Sequence, residues 1–187
     1  MAPRIETPLL LLRGWNDDDV EAWLTMNADP RVREFFARPY EREKSISDAK
    51  VLRQELERDG FGWFVVEIKN GMPFAGVIVL QPVPFHAHFT PANEIGWRFA
   101  VDAWGKGYAT EAASAALRFA FDDLGWHEIV AFTAAINLRS RRVMERLGMS
   151  YDPADDFNHP RLEESHPLRR HVLYRLRHPH QAADKTG

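Results

Sequence analysis

The chain has 187 residues, of which 45% are hydrophobic and 27% charged, and its formal net charge is -3. This length and composition suit one globular domain of ordinary size. So small a negative charge gives no field that would attract a nucleic-acid backbone, and we expect no nucleic-acid partner. The chain contains no cysteine, which excludes disulfides, thiolate catalysis and cysteine-metal sites within it.

The N-terminal residues lack the apolar core of a signal peptide, and no apolar run approaches the roughly 20 residues that a membrane span requires. We therefore expect a cytoplasmic protein without a membrane partner. We predict one domain over residues 1–177 and a polar tail over residues 178–187. The oligomeric state stays open, with a homodimer as one option.

The first third of the chain predicts a short apolar run and two helices. The apolar run covers residues 9–12. Residues 16–19, Asn-Asp-Asp-Asp, are typical of a helix N-terminus, and we interpret the acidic run over residues 17–19 as helix capping and not as a metal site. This first helix should end before Pro30, because proline disfavours the helical conformation in the preceding residue. Residues 45–58 predict the second helix.

The middle of the chain predicts two antiparallel strands, a loop and a third strand. Residues 61–69 are aromatic and β-branched, residues 70–71 (Asn-Gly) are a hairpin turn signal, and residues 75–80 resume a strand. Residues 82–91 hold three prolines and two histidines and predict a loop. Residues 94–101 predict the third strand.

The remainder alternates helices and strands. Small and apolar residues fall at helical spacing over residues 107–124. Residues 129–134 predict a strand, residues 138–147 a helix ended by Gly148, and residues 171–176 a last strand.

The clearest chemical signal lies between the third strand and the helix over residues 107–124, in the segment Trp104-Gly105-Lys106-Gly107-Tyr108-Ala109-Thr110-Glu111. Glycines let the backbone approach a ligand closely, and a helix N-terminus adds partial positive charge. The segment therefore predicts an anion site suited to a pyrophosphate, the alternative being a tight turn that binds only water. It matches neither a Walker loop nor the G-x-G-x-x-G pattern, which disfavours nucleotide triphosphates and NAD.

Two blocks of sequence resemble the GNAT superfamily of N-acetyltransferases, in particular its ribosomal-protein N-terminal acetyltransferase (RimJ/RimL-like) branch. The first block joins Glu94-Ile95-Gly96-Trp97-Arg98-Phe99 to the glycine segment, and the second covers residues 137–149. The resemblance implies an α/β (α+β) fold, a single GNAT-like domain whose mixed, mostly antiparallel central sheet is flanked by helices and split at the cofactor strand. It also implies acetyl transfer from acetyl-CoA by direct attack of a primary amine, either a protein N-terminal α-amine or a small-molecule amine.

Carried over residue by residue, the resemblance implies that backbone groups of the strand and loop hold acetyl-CoA. These residues are Phe99, Val101, Gly105, Lys106, Gly107, Tyr108, Ala109 and Thr110. Asn137 would either bond the pantetheine arm or cap the following helix. The family's glycine motif usually begins with Gln or Arg where this chain has Trp104, so packing is the alternative role for that side chain.

Glu94 and Ser140 are the candidate catalytic residues. The resemblance implies that Glu94 takes a proton from the amine, the alternative being a strand glutamate paired with a cation. Many family members protonate the leaving thiolate with a tyrosine where this chain has Met144, so Ser140 is the candidate acid and a helix-bonded serine the alternative. Met144 also keeps open an acyl-CoA-binding sensor of the same fold without turnover.

His86 and His88 form an H-x-H pair in the proline-rich loop, a spacing that can bind zinc. No third ligand is recognisable in the sequence, so we expect no metal. Either histidine could instead lie in the acceptor pocket.

Overall fold

Two structural units account for residues 2–178, the part of the chain that the computed structural model describes. Unit 1 contains the residues up to Leu80 together with Gly96–Ala116, and unit 2 contains Gln81–Ile95 and the residues from Leu117 onward. Strands β4 (Gly76–Pro82) and β5 (Asn93–Phe99) and helix α4 (Tyr108–Asp122) run from one unit into the other.

Unit 1 begins with strands and helices from the first half of the chain. These are β1 (Ile5–Glu6), β2 (Leu10–Arg13), α1 (Asp19–Ala28), α2 (Pro30–Arg33), α3 (Arg42–Asp59) and β3 (Trp63–Ile68). β1, β2, β3 and β4 pair in that order and antiparallel, with Leu12 opposite Val66 and Phe64 opposite Ile78. α3 lies against α1 and β3.

The predicted elements of this unit are confirmed with small shifts. The apolar run is β2, the two predicted helices are α1 and α3, and the hairpin turns at Asn70, which has a φ of 57°. α3 begins three residues before its predicted start, at Arg42. The short helix α2 was not predicted, although Pro30 at its start and the Asp29 side chain, which accepts the Arg31 N–H at 2.8 Å, are helix-start signals.

Residues 16–19 do lead into helix α1 as predicted, but neither Asp18 nor Asp19 caps it through a side-chain hydrogen bond. Asp18 precedes α1 but makes no side-chain hydrogen bond to it. Asp19 is instead buried against Arg13, with 2.7 Å between its Oδ2 and Nη1, and accepts the Asn16 N–H at 2.6 Å. The Asp19 carboxylate pairs with Arg13 because a buried guanidinium needs a counter-charge.

Unit 2 contains four strands and a helix of its own. They are β6 (Glu128–Ala134), α5 (Leu138–Arg146), β7 (Ser150–Tyr151), β8 (Phe157–Asn158) and β9 (Arg170–Arg177). β9 pairs antiparallel with β6, from Glu128 opposite Arg177 to Ala134 opposite His171, and also with β7 and β8. β5 pairs with β6 in parallel, Asn93 opposite Ile129 and Glu94 opposite Val130. α5 lies against β6.

The predicted α/β class with a mixed, mostly antiparallel sheet and helices is confirmed, whereas the split of the sheet stays a prediction. The domain bounds 1–177 also stay a prediction. His178, assigned to the tail, donates its N–H to the His127 carbonyl at 2.9 Å, and the rest of that tail lies outside the described residues. Among the helices of residues 2–178, none has the length and apolar character needed to cross a bilayer.

Candidate active site

The glycine segment forms an exposed loop whose backbone conformation requires its two glycines. β5 ends at Phe99, so Val101, predicted as a strand residue, lies instead in a short 3-10 turn over Val101–Ala103. Gly105 has a φ of 74° and Gly107 a φ of 84°, both in the left-handed region. A Cβ atom at either position would have no neighbour within 4 Å. These glycines are therefore required by backbone conformation and not by crowding.

The start of α4 presents backbone donors. The helix closes its first turn with a hydrogen bond from Glu111 N–H to Gly107 O at 3.0 Å. The first four N–H groups of a helix have no partner within it. Gly105, Lys106 and Gly107 are exposed, and the three residues that follow are half-buried. The loop can thus offer N–H groups and the positive end of a 15-residue helix to an anion.

Glu111 anchors this helix start to the turn between β1 and β2. Its Oε1 accepts the Thr7 hydroxyl at 2.6 Å and the Leu9 N–H at 2.9 Å. A carboxylate in the first turn also interacts favourably with the helix dipole. This anchor could not be predicted from the sequence, because Thr7 lies 104 positions away and no local pattern joins the two residues.

Trp104 closes the loop from the other side. Its indole N–H donates to the Phe99 carbonyl at 2.9 Å, and the side chain is half-buried. This hydrogen bond holds the Trp104 side chain at the end of β5. The structure therefore supports the packing alternative for Trp104.

Glu94 is a buried carboxyl on β5, with 8% of the residue exposed. The Gln81 side-chain Nε2 donates to its Oε1. Burial raises the pKa of Glu94 to about 7, although the Gln81 hydrogen bond and the charge of Arg161 act in the opposite direction. The hydrogen bond to Glu94 comes from the neutral Gln81 and Arg161 acts on it only through its charge, so among residues 2–178 the ion-paired alternative is not formed.

The neighbour of Glu94 on the adjacent strand belongs to an apolar cluster. Val130, the cross-strand partner of Glu94, packs in a cluster with Phe89, Phe157 and Leu173. Phe89 belongs to the proline-rich loop over residues 82–91, which contributes further partly buried residues to this cluster. A carboxyl in such surroundings titrates near neutral pH, where a general base is most effective.

The two histidines of that loop differ in their contacts. His86 is exposed, and His88 Nε2 lies 3.4 Å from Asp155 Oδ1. Across residues 2–178, no group of three histidine, aspartate or glutamate side chains is placed to hold a metal ion.

Asn137 and Ser140 form one hydrogen-bonded group at the start of α5. The Asn137 Oδ1 accepts the Ser140 N–H at 3.3 Å, so the helix-capping alternative is formed. Its Nδ2 donates to Thr133 Oγ1 at 2.9 Å and to Ser140 Oγ at 3.1 Å. The Ser140 hydroxyl has no acceptor among the described residues and keeps its own proton to donate. Met144 is buried and carries no proton to give.

The predicted site residues thus form three groups. Phe99, Val101 and the loop over residues 105–110 belong to unit 1. Glu94 with Gln81, and Asn137 with Ser140 and Thr133, belong to unit 2. Three residues that were not identified from the sequence support these groups through hydrogen bonds, namely Gln81, Thr133 and Glu111.

Unit 1 thus carries an anion-binding turn at the start of a helix, and unit 2 carries a titratable carboxyl on a strand, within an α/β protein. Residues 10–150 match the acetyltransferase (GNAT) domain, and the chain belongs to this family.

Similar proteins agree with this assignment. The chain is 31% identical over 156 residues to the FsC-acetyl coenzyme A-N(2)-transacetylase of Aspergillus fumigatus, a match that covers 80% of this chain and 66% of the fungal protein. The crystal structure of a GNAT-family acetyltransferase from Bacillus anthracis superposes with a TM-score of 0.75 at 26% identity, covering 94% of this chain and 98% of that chain.

Mycobacterium smegmatis RimJ in complex with CoA-disulfide superposes with a TM-score of 0.72 at 23% identity, covering 94% of this chain and 86% of that chain. At that identity the likeness is one of fold. The predicted family, fold class and acetyltransferase class are confirmed.

Proposed function

We propose that this chain transfers an acetyl group from acetyl-CoA to a primary amine, either a protein N-terminal α-amine or a small-molecule amine. The observation that carries the proposal is the exposed loop over residues 105–110, with both glycines in the left-handed region at the start of α4. Membership of the acetyltransferase (GNAT) family supports acetyl-CoA as the ligand of this anion site. The fungal relative is named as an N(2)-transacetylase, which supports nitrogen as the acceptor atom.

The loop fits the pyrophosphate of acetyl-CoA. The open space at the Cβ positions of Gly105 and Gly107 leaves room for phosphate oxygens near the backbone donors. In this proposal Phe99 and Val101 hold the pantetheine arm through backbone groups. Asn137 commits its Nδ2 to Thr133 and Ser140, so only its Oδ1 could accept a further bond from the arm.

Glu94 supplies the base in the proposed reaction. Primary amines are mostly protonated near neutral pH and must lose a proton before they attack the thioester carbonyl. The Glu94 carboxylate accepts that proton, directly or through one water. The new C–N bond forms as the C–S bond breaks, and the nitrogen gives its second proton to water. The Ser140 hydroxyl gives its proton to the leaving thiolate and regains one from water. A cytoplasmic location is also part of the proposal, and the oligomeric state stays open with a homodimer as one option.

CoA release measured against a panel of amines tests the proposal. The panel should contain peptides with free and with blocked N-termini, small primary amines, and tertiary amines as negative controls. We expect release above the solvent rate with at least one primary amine and with no tertiary amine. Binding of acetyl-CoA without release from any acceptor would contradict turnover and would indicate an acyl-CoA sensor.

A further inference from the structure

Arg98 places a guanidinium in an aromatic cage within unit 1. Its Cζ lies 4.1 Å from the ring centroid of Phe36, 5.1 Å from that of Trp23 and 5.9 Å from that of Trp63. A second arginine approaches the same cage, because the Cζ of Arg33 lies 5.3 Å from the Phe36 ring. Two cationic side chains therefore share one phenyl ring.

Neither cation has a carboxylate partner among residues 2–178. Arg98 donates from Nη1 to the Asn27 side-chain oxygen, a neutral acceptor, and its buried Nε has no hydrogen-bond partner. Arg33 donates to the backbone carbonyls of Arg38 and Pro39, which are also neutral.

The buried Arg13 of the same unit shows the contrast. Its Nη1 lies 2.7 Å from Asp19 Oδ2, and its Nε lies 2.7 Å from Glu67 Oε2. The fold thus gives Arg13 two counter-charges, while Arg98 has aromatic faces and one amide oxygen. Aromatic rings stabilise a cation but provide no acceptor for its N–H groups.

Such an arrangement is unfavourable unless an anion completes it. Burial lowers the pKa of Arg98 to about 9, and the nearby charge of Arg33 acts in the same direction, whereas the charge of Asp48 raises it. Burial and Arg33 outweigh Asp48 and disfavour the charged guanidinium, and an anion bound at the cluster would offset them. Phe36, the ring between the two arginines, is 38% exposed, so the cluster has an open side.

We propose that Arg98 and Arg33 form an anion-binding site that takes a carboxylate or phosphate group. The planar guanidinium presents N–H donors in the geometry that both groups accept. The further assignment of that group to the amine acceptor rests on the proposed function, and it makes the preferred acceptors acidic amines. A free anion is the other source of the same chemistry.

Titration of the full chain with inorganic phosphate tests the site directly. Trp23 and Trp63 border Arg98, so tryptophan emission reports binding at this place. The titration is made on Gly107→Val protein as well as on wild type, so that phosphate bound at the 105–110 loop is recognised separately. We expect a saturable response that persists in Gly107→Val.

Three further variants test whether the tryptophan response to phosphate depends on Arg33 and Arg98. Arg33→Gln and Arg98→Lys should each weaken phosphate binding at least about tenfold, since each loses charge-assisted hydrogen bonds. Arg53→Gln is the matched control, because Arg53 is a half-buried arginine of the same unit paired with Asp17 and Glu57. The site is overturned if wild type gives no loop-independent response, or if folded Arg33→Gln and Arg98→Lys bind phosphate as wild type does.

A pair of acceptors that differ only by a free carboxylate or its carboxamide distinguishes the two sources. If the acceptor supplies the anion, Arg33→Gln raises KM for the acidic acceptor at least about tenfold and leaves KM for the amide unchanged. Unchanged KM values alongside weakened phosphate binding overturn the acceptor assignment and indicate a free anion. Failure of the proposed function has a different signature, since no acceptor then releases CoA while the phosphate titration is unaffected.

Discussion

The loop over residues 105–110 and the surroundings of Glu94 solve two chemical problems by opposite means. The loop is exposed, and its capacity to bind comes from backbone N–H groups and the left-handed φ values of Gly105 and Gly107. Glu94 is buried, and its capacity to react comes from one side chain whose pKa is raised to about 7 by that burial. Backbone amides do not titrate at these pH values, whereas Glu94 does. Acetyl-CoA affinity and turnover should therefore respond to different variants and differently to pH.

The largest expected effect is on turnover in Glu94→Gln. This variant keeps the shape of the side chain and removes the base, so turnover at pH about 7 should fall roughly 100-fold or more. Wild-type turnover should rise with pH through about 7 as Glu94 ionises. The variant should recover at high pH, where the amine deprotonates unaided, and its acetyl-CoA affinity should stay unchanged. Steady-state rates across pH at saturating acetyl-CoA provide the measurement.

Glu128→Gln is a suitable control, because Glu128 lies on β6 of the same unit and is held in ion pairs with Arg175 and Arg177. It should leave the pH profile of turnover unchanged. A wild-type profile in Glu94→Gln would make Glu94 a structural strand residue and leave water as the base.

The pH dependence of the unfolding free energy tests the raised pKa of Glu94 independently of turnover. The folded chain holds this proton more tightly than the unfolded chain, whose glutamate has a pKa near 4.5. The contribution of Glu94 is therefore fully present below pH 4.5 and is lost as pH rises through about 7, by up to about 3 kcal/mol of unfolding free energy. In Glu94→Gln the unfolding free energy should no longer show this part of the decrease with pH. Urea unfolding of both proteins between these pH values would measure it, and identical slopes would contradict the raised pKa.

Gly107→Val addresses the other region. A β-branched residue is strained at a φ of 84°, and either the loop shifts or the side chain occupies the space beside the phosphates. Acetyl-CoA affinity measured by calorimetry should fall at least about tenfold, since such backbone strain amounts to roughly 1–3 kcal/mol.

Gly125→Val is the matched control for that strain. Gly125 also has a left-handed φ, 67°, and open space at its Cβ position, but it follows the end of α4. Both variants should lose similar stability, and only Gly107→Val should lose affinity. Equal affinity losses in Gly107→Val and Gly125→Val would show that the loss comes from backbone strain in general and not from the 105–110 loop.

The contrast also explains what could be predicted from the sequence. Gly105 and Gly107 impose local backbone conformations, so the loop and the helix after it could be predicted from neighbouring residues. The identity of Glu94 as a candidate came from the family motif, but its raised pKa depends on burial among side chains from separate segments. The cage of Arg98 likewise draws on Trp23, Phe36 and Trp63, which no local pattern joins. Strands β7 and β8 are two residues each and leave no periodic signal.

A smaller effect is expected from Gln81→Met, which keeps an unbranched side chain and removes the donor to Glu94. The Gln81 hydrogen bond favours the carboxylate and so lowers the pKa of Glu94. Its loss should raise that pKa and move the midpoint of the pH–turnover profile by about one pH unit toward alkaline values. At high pH the variant should reach the wild-type rate. An unmoved midpoint would show that Gln81 does not stabilise the ionised form during turnover.

The smallest expected effect is that of Ser140→Ala. The thiol of CoA is acidic enough for water to protonate the leaving thiolate in place of a side chain, so turnover should fall by less than about tenfold. The acetyl-CoA dissociation constant should not change, because the cap from Asn137 Oδ1 reaches the Ser140 backbone N–H and survives the substitution. An acyl donor with a more acidic leaving thiol needs still less proton donation, so it should erase the deficit of the variant. If the deficit persists with that donor, Ser140 acts through the Asn137 and Thr133 hydrogen bonds and not as the acid. Equal turnover of both proteins with acetyl-CoA would make Ser140 an ordinary residue of α5.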